Sequence, residues 1–164
     1  MKYIVIRNSH FFLATLAFII LSSCSKNEST AKYFDKNYVV FGSFYGECIG
    51  PDCVEIFKIE NGVLSEDTSN VYPSGGVYEG VYIAIPQSKY DLVKKLIYYI
   101  PPSLLVEPEG NIGSPDSYDQ GGIYLELKVN YSRTYWKIDT DTGAIPHYLI
   151  PLIDTIKTYV KKVR

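Results

Sequence analysis

The hydrophobic and polar positions of the chain form short extended runs and two helical stripes. Tyr38-Val-Val-Phe-Gly-Ser-Phe-Tyr45 is β-branched and aromatic, which predicts a strand. Val54 to Ile59 predicts a second strand, with Val54, Ile56, Phe57 and Ile59 apolar and Glu55 and Lys58 polar. Asn61-Gly62 then reads as a type I′ hairpin turn, because both central positions of that turn need a positive φ. Val63 to Glu66 returns from it, residues 68–76 read as loop, and Val77 to Ile85 carries another strand. Gly122 to Val129 alternates, with Ile123, Leu125, Leu127 and Val129 on one face. Asn130 to Arg133 turns the chain, and Thr134 to Ile138 returns.

The first helical stripe is Leu92, Val93, Leu96, Ile97 and Ile100, with Ser88 as its N-cap and Asp91 completing a capping box. Pro101-Pro102 stops it. The second helix runs from about His147 along Leu149, Ile153, Ile156 and Val160. Pro151 falls in its first turns, and Lys157, Lys161, Lys162 and Arg164 suit its C-terminal end. The two helical segments can be laid together: Ile85-Pro86 matches Ile145-Pro146, Leu92 matches Leu152, and Tyr99 matches Tyr159. The fold class is therefore read as α+β: an antiparallel sheet of hairpins with two helices packed on one face. The match between the helices points to two strand–strand–helix halves, although unrelated amphipathic helices also align in this way.

The first residues follow a different pattern. Phe11 to Leu21 is apolar except for Thr15, and Lys2 and Arg7 precede it. At ~1.5 Å rise per residue the run spans roughly 16 Å, too short for a hydrocarbon core of about 30 Å. It fits the apolar core of a secretory signal. The run ends in Leu21-Ser22-Ser23-Cys24, which resembles the lipobox of bacterial lipoproteins. That resemblance implies cleavage before Cys24, with lipid on its sulfur and on the new amino terminus. Residues 1–23 are then a lipoprotein signal peptide, 24–36 a flexible tether, and 37–164 a single α+β domain. Ser25 follows the cysteine, where an Asp would suggest inner-membrane retention, so an outer-membrane location is expected. Several acyl chains hold a protein to a membrane far more firmly than one.

Composition narrows the choice of function. The chain has 164 residues, 46% of them hydrophobic and 21% charged, which is globular and sufficient for one core. Its formal net charge is −2. Without residues 1–23, which include Lys2 and Arg7, 14 basic residues face 18 acidic ones, a net charge of −4. That balance argues against a nucleic-acid partner bound through a basic surface.

Three cysteines are an odd number for an oxidising compartment. With Cys24 taken by lipid, Cys48 and Cys53 remain, separated by the turn-forming Ile-Gly-Pro-Asp. A structural disulfide is the favoured reading for an exported protein; free thiols, a metal site or a redox pair are the alternatives. No cofactor is implied.

The loop Ser114-Pro-Asp-Ser-Tyr-Asp-Gln-Gly-Gly122 is the candidate ligand or cation site. Asp116, Asp119 and Gln120 stand beside glycines there, and paired carboxylates suit acid–base chemistry or a hard cation. Turn chemistry explains the same residues, since Asp and Ser cap backbone amides and Gly takes a positive φ. Asp139-Thr-Asp-Thr-Gly143 resembles the opening of a calcium loop, but its glycine comes one position early and Ile150 stands where the bidentate Glu belongs. Serine-nucleophile and phosphate-loop motifs are missing, and His147 is the one histidine beyond residue 23. Fifteen tyrosines remain in that part of the chain, a residue suited to interfaces and half-wet sheets.

Phe41-Gly-Ser-Phe-Tyr-Gly-Glu-Cys48, Phe57 to Gly62, Pro115-Asp116 with Asp119-Gln-Gly-Gly122, Trp136 to Thr140 and Ile145-Pro146 resemble a group of small uncharacterised bacterial lipoproteins. The resemblance covers most of residues 37–163 and carries no known activity. Some of those proteins have cysteines in the Pro-Asp loop, where Ser114 and Ser117 stand here. The functional expectation is a lipid-anchored envelope protein. Its domain binds a protein or small ligand, or else works as a hydrolase or cation-dependent enzyme through Asp116 and Asp119.

Overall fold

The computed structural model describes residues 37–164. The expected signal segment 1–23, the expected lipidation site Cys24 and the expected tether 24–36 lie outside the described residues. Among the described residues, no helix is long and apolar enough to cross a membrane.

The domain is α+β, with a seven-stranded, mostly antiparallel sheet. In chain order the strands are β1 (Tyr38–Phe44), β2 (Val54–Glu60), β3 (Val63–Asp67), β4 (Tyr82–Ala84), β5 (Gly110–Ile112), β6 (Gly122–Val129) and β7 (Ser132–Asp139). Helix α1 (Gln87–Val93) lies between β4 and β5, and α2 (Ile150–Val163) follows β7. Their order across the sheet is β4-β3-β2-β1-β6-β7-β5. β1 therefore has β2 on one side and β6 on the other, with Phe41 opposite both Phe57 and Leu125.

Local chemistry explains the hairpins. Asn61 and Gly62 have φ 52° and 76°, the doubly positive turn that lets Glu60 pair with Val63. Asn130, at φ 58°, opens the turn that pairs Val129 with Ser132. Cys48 and Cys53 stand with sulfurs 2.06 Å apart and Cα atoms 5.5 Å apart, within the span of a disulfide. They pin the loop between β1 and β2, and the Tyr45 amide donates to the Cys53 carbonyl at 2.9 Å.

Alternation divides the strand residues between two faces. Phe41, Phe57, Leu64, Ile123, Leu125, Trp136 and Ile138 pack in one cluster with Val93 of α1 and Leu152, Ile156 and Val160 of α2. A second, smaller cluster gathers Val40, Phe44, Val54, Ile56, Tyr78 and Tyr124. Burial of this kind stabilises by roughly 25 cal/mol per Å² of apolar surface. Beyond the last turn of α2, Arg164 forks onto both carboxylate oxygens of Glu55 on β2.

Three elements differ from the sequence pattern. The first helix is short. It begins behind Pro86, with no side-chain cap bond, and ends at Val93; Leu96–Tyr99 then wind as a 3₁₀ turn. Ser88 sits inside the helix, and Asp91 pairs with Lys94 at 3.0 Å in place of capping. The reason is packing: Val93 and Leu96 are fully buried, whereas Leu92 and Ile97 are half exposed, so no single stripe needs covering. Secondly, the loop after residue 107 contains β5, which runs parallel to β7 with Ile112 opposite Ile138. Thirdly, only Tyr82–Ala84 of the expected strand 77–85 joins the sheet, as β4. Residues before Tyr82 are pulled aside by polar side chains.

Candidate functional site

Two polar regions stand out, one at the carboxylate loop and one on the sheet face that carries Tyr124. In the loop, Asp116 and Asp119 both adopt left-handed backbone, with φ 62° and 60°. Asp is among the few residues that tolerate this, because its short side chain bonds locally. The Asp116 carboxylate accepts from the Gly46 amide at 2.6 Å, the Tyr72 hydroxyl at 3.0 Å and the Gly121 amide at 2.9 Å. It thereby ties together the loop after β1, the segment before β4 and its own turn. Burial and that carboxylate push the Tyr72 hydroxyl up to about 12.

Gln120 is committed in the same way. Its side-chain oxygen accepts from the Tyr118 amide at 2.7 Å, and its nitrogen donates to the Ser114 carbonyl at 3.1 Å and to Asp139 at 3.2 Å. Asp139 is buried and also accepts from the amides of Ser114 and Asp141. Burial raises its carboxyl, but the bonds from Asp141, Ser114 and Gln120 outweigh that and hold it below the usual range. Asp119 is exposed and takes no part in this network. Asp141 turns the chain by accepting from the Gly143 amide at 2.9 Å, as an Asx turn does. His147 is exposed. Among the described residues, no group of three or more His, Cys, Asp or Glu side chains could hold a metal ion.

The second region centres on Glu126, a fully buried carboxylate in β6. Burying a charge is costly unless it is paired and fully bonded. Arg133 of β7 supplies the counter-charge through Nε at 2.7 Å. The Tyr38 hydroxyl donates at 2.9 Å, the Tyr124 hydroxyl at 2.8 Å and the Tyr78 amide at 3.3 Å. Arg133 also reaches Glu79 at 2.6 Å and the Tyr78 carbonyl at 3.2 Å. The bond to Glu126 drives the guanidinium pKa further above its ordinary value.

Residues 68–81 pass over this face as a strap. Asp67 anchors it, accepting from the Tyr78 hydroxyl at 2.7 Å, the Val81 amide at 2.6 Å and the Ser69 hydroxyl at 2.8 Å. Burial raises the Asp67 carboxyl, yet bonds from Tyr78, Ser69 and Val81 bring it below the usual range. Gly80 lets the strap come close: a Cβ there would lie 2.8 Å from Asp67 Oδ1 and 2.9 Å from the rings of Tyr78 and Tyr82.

Between strap and sheet is a pocket of about 190 Å³, walled by Tyr38, Tyr78, Tyr82, Lys58, Gly80 and Arg133. Lys58 Nζ sits 4.9 Å from the centre of the Tyr82 ring and 2.8 Å from Glu60. The Tyr82 hydroxyl oxygen is buried and has no hydrogen-bond partner. Burial, with the nearby Asp67 and Glu126 charges, pushes that hydroxyl well above the usual tyrosine range. Burial likewise lifts Tyr78 to about 12.

Sequence reasoning singled out Asp116, Asp119 and Gln120, and the structure brings Asp116 and Gln120 into backbone-stitching networks without Asp119. It missed the pocket. The available signal was Tyr124 and Glu126 interleaved with the apolar positions of β6, together with the surplus of tyrosine. The fold class is an α+β domain with a largely antiparallel sheet. No protein-family model matches the chain, and no curated protein matches it.

Proposed function

We propose that this chain is a lipid-anchored protein of the outer membrane, attached through Cys24, whose domain serves as a binding module. Support for the anchor is the order of basic residues, apolar run, lipobox-like Leu21-Ser-Ser-Cys24 and polar stretch. Support for binding is one observation above all: an open pocket between strap and sheet, walled by tyrosines and charged side chains. In this reading the helices gather on one face and leave the other to the strap and pocket. The element order, strands then a helix twice over, is consistent with two related halves. Asp116 spends its carboxylate on three donors, which weighs against the hydrolase reading.

Metabolic labelling with radioactive palmitate tests the anchor: wild type takes up label and Cys24→Ala does not; a labelled Cys24→Ala protein overturns it. Thermal unfolding in the presence of fractionated envelope extract tests binding. A ligand at about 100 times its Kd stabilises by ~2.7 kcal/mol. If no fraction raises the midpoint, the binding reading is wrong.

A further inference from the structure

We infer that the surface formed by residues 92–106 docks on an anionic lipid surface, with Leu92, Ile97, Tyr98, Leu105 and Val106 as its apolar contacts and neighbouring lysines as its ionic ones. The inference rests on the lipid-anchor reading and adds how the anchored domain lies against its membrane.

This segment is apolar inside and outside. Val93, Leu96 and Leu104 are fully buried in the core shared with α2, so inward positions already meet the needs of packing. The outward positions are apolar as well. Tyr98 is 84% exposed and Val106 85%, and Leu92, Ile97 and Leu105 are each about half exposed. Single apolar side chains on a surface are ordinary, but several close together beside polar groups mark a contact with a protein or a membrane. Tyrosine, a ring with a polar tip, suits the boundary between headgroups and acyl chains.

Charge selects the occupant. The helical segments 87–106 and 150–163 carry six lysines against two aspartates, a net +4, whereas the other described residues carry five basic and fourteen acidic side chains, a net −9. Lys94 and Lys95 are exposed between Leu92 and Ile97, and Lys161 and Lys162 are exposed on the last turn of α2. The Tyr99 ring meets Tyr159 of α2 edge-on at 6.5 Å, which joins the two segments. Glu107, just past the patch, is bonded to the Tyr148 hydroxyl at 2.6 Å. A domain polarised in this way turns its helical side toward negative charge. Lysine stems can lie along the apolar contacts while their ammonium groups reach lipid phosphates.

The anchor brings such a surface within reach. Thirteen residue steps separate Cys24 from Asn37, a span of at most about 45 Å. A domain of 128 residues has a radius of gyration of roughly 14 Å, so any of its sides can meet the membrane. Tethering at this length gives an effective concentration in the ~mM range, so a contact too weak to hold the domain alone is enough to orient it. Docked through its helices, the domain holds the strap and the pocket beside Tyr82 away from the lipid, open to a ligand.

Fluorescence quenching of the full-length protein tests the inference, in vesicles of phosphatidylethanolamine and phosphatidylglycerol with brominated acyl chains. Tyr98→Trp reports on the patch and Tyr118→Trp on the carboxylate loop, and the buried Trp136 is common to both. Tyr98→Trp is expected to lose at least twice the fluorescence that Tyr118→Trp loses, and Val106→Trp, at an equally exposed position, repeats the reading. Lys94→Glu combined with Lys95→Glu should remove at least half of that difference. Equal quenching of Tyr98→Trp and Tyr118→Trp in protein that floats with the vesicles overturns the inference and leaves the anchor standing. Protein that does not float with them overturns both. Tyr98→Trp fluorescence shielded from aqueous acrylamide yet untouched by the brominated lipid means that a second copy of the chain covers the patch, which also overturns the inference.

Discussion

Arg133→Met and Glu126→Gln break the same ion pair from opposite ends, and the structure predicts unequal costs. Glu126 is fully buried, while the Arg133 side chain is 29% exposed. Removing the guanidinium leaves a buried carboxylate held only by the Tyr38 and Tyr124 hydroxyls and the Tyr78 amide. Breaking a buried pair in this way costs about 3–5 kcal/mol. The three neutral donors offset part of that, so about 3 kcal/mol is expected for Arg133→Met. Removing the carboxylate charge instead leaves a partly exposed cation that still holds Glu79 and the Tyr78 carbonyl. Glutamine keeps one acceptor oxygen, so the loss is about one charged hydrogen bond, roughly 1.5 kcal/mol. At roughly 4 °C per kcal/mol for a domain of this size, the midpoints should fall by about 12 °C and 6 °C.

The assay is urea or thermal unfolding followed by Trp136 fluorescence, since this is the only tryptophan and it is 1% exposed. The double variant should lose less than the two single losses combined, because each single variant strands a partner. Equal losses, a larger loss for Glu126→Gln, or strict additivity would refute the burial argument.

Four further outcomes follow from the structure. The folded Asp67 and Asp139 carboxyls lie below their unfolded values. Their contribution to stability is therefore present above the ordinary carboxylate pKa of about 4 and disappears as pH falls below it. Asp67→Asn and Asp139→Asn should flatten the acid limb of a stability–pH curve; an unchanged limb contradicts this. The tyrosine shifts work in the other direction: Tyr38, Tyr78, Tyr82 and Tyr124 are raised, so stability is full below about pH 10 and lost as pH climbs through the folded values. Asp116→Ala should cost about 2 kcal/mol, from lost amide bonds and a left-handed alanine, while Asp119→Ala costs less than about 1 kcal/mol. Chemical denaturation ranks the two, and equal effects would contradict the network. Cys48→Ser should cost about 2 kcal/mol, and thiol titration of the folded, unreduced protein should find neither Cys48 nor Cys53 reactive.

Much of the fold was legible because its signals are local. β1, β2, β3, β6 and β7 carry β-branched and aromatic residues, and Asn61-Gly62 names its own turn. The stripe read as Leu149, Ile153, Ile156 and Val160 is buried throughout, the last three of them on α2. β5 was not legible: three residues show no period, and their partner is the distant Trp136–Ile138 segment of β7. Nor was the break after Val93, since Leu92, Val93, Leu96 and Ile97 keep helical spacing whether or not a neighbour covers each of them. Turn chemistry in the loop 114–122 was readable, because Asp and Gly carry it themselves. That the Asp116 carboxylate reaches Gly46 and Tyr72 was not.

The sequence by itself determined the elements with their own periodicity and turns, and the short span between Cys48 and Cys53. Only the tertiary structure decided which polar residues matter together. Tyr38, Glu126 and Arg133 lie on three adjacent strands, and Tyr78 and Tyr82 come from the strap and β4. No spacing along the chain encodes their meeting, because it depends on β1 lying between β2 and β6 and on Asp67 folding the strap back. A pocket is a property of that arrangement, built from contacts between residues far apart in sequence, whereas a turn or a stripe is a property of neighbours.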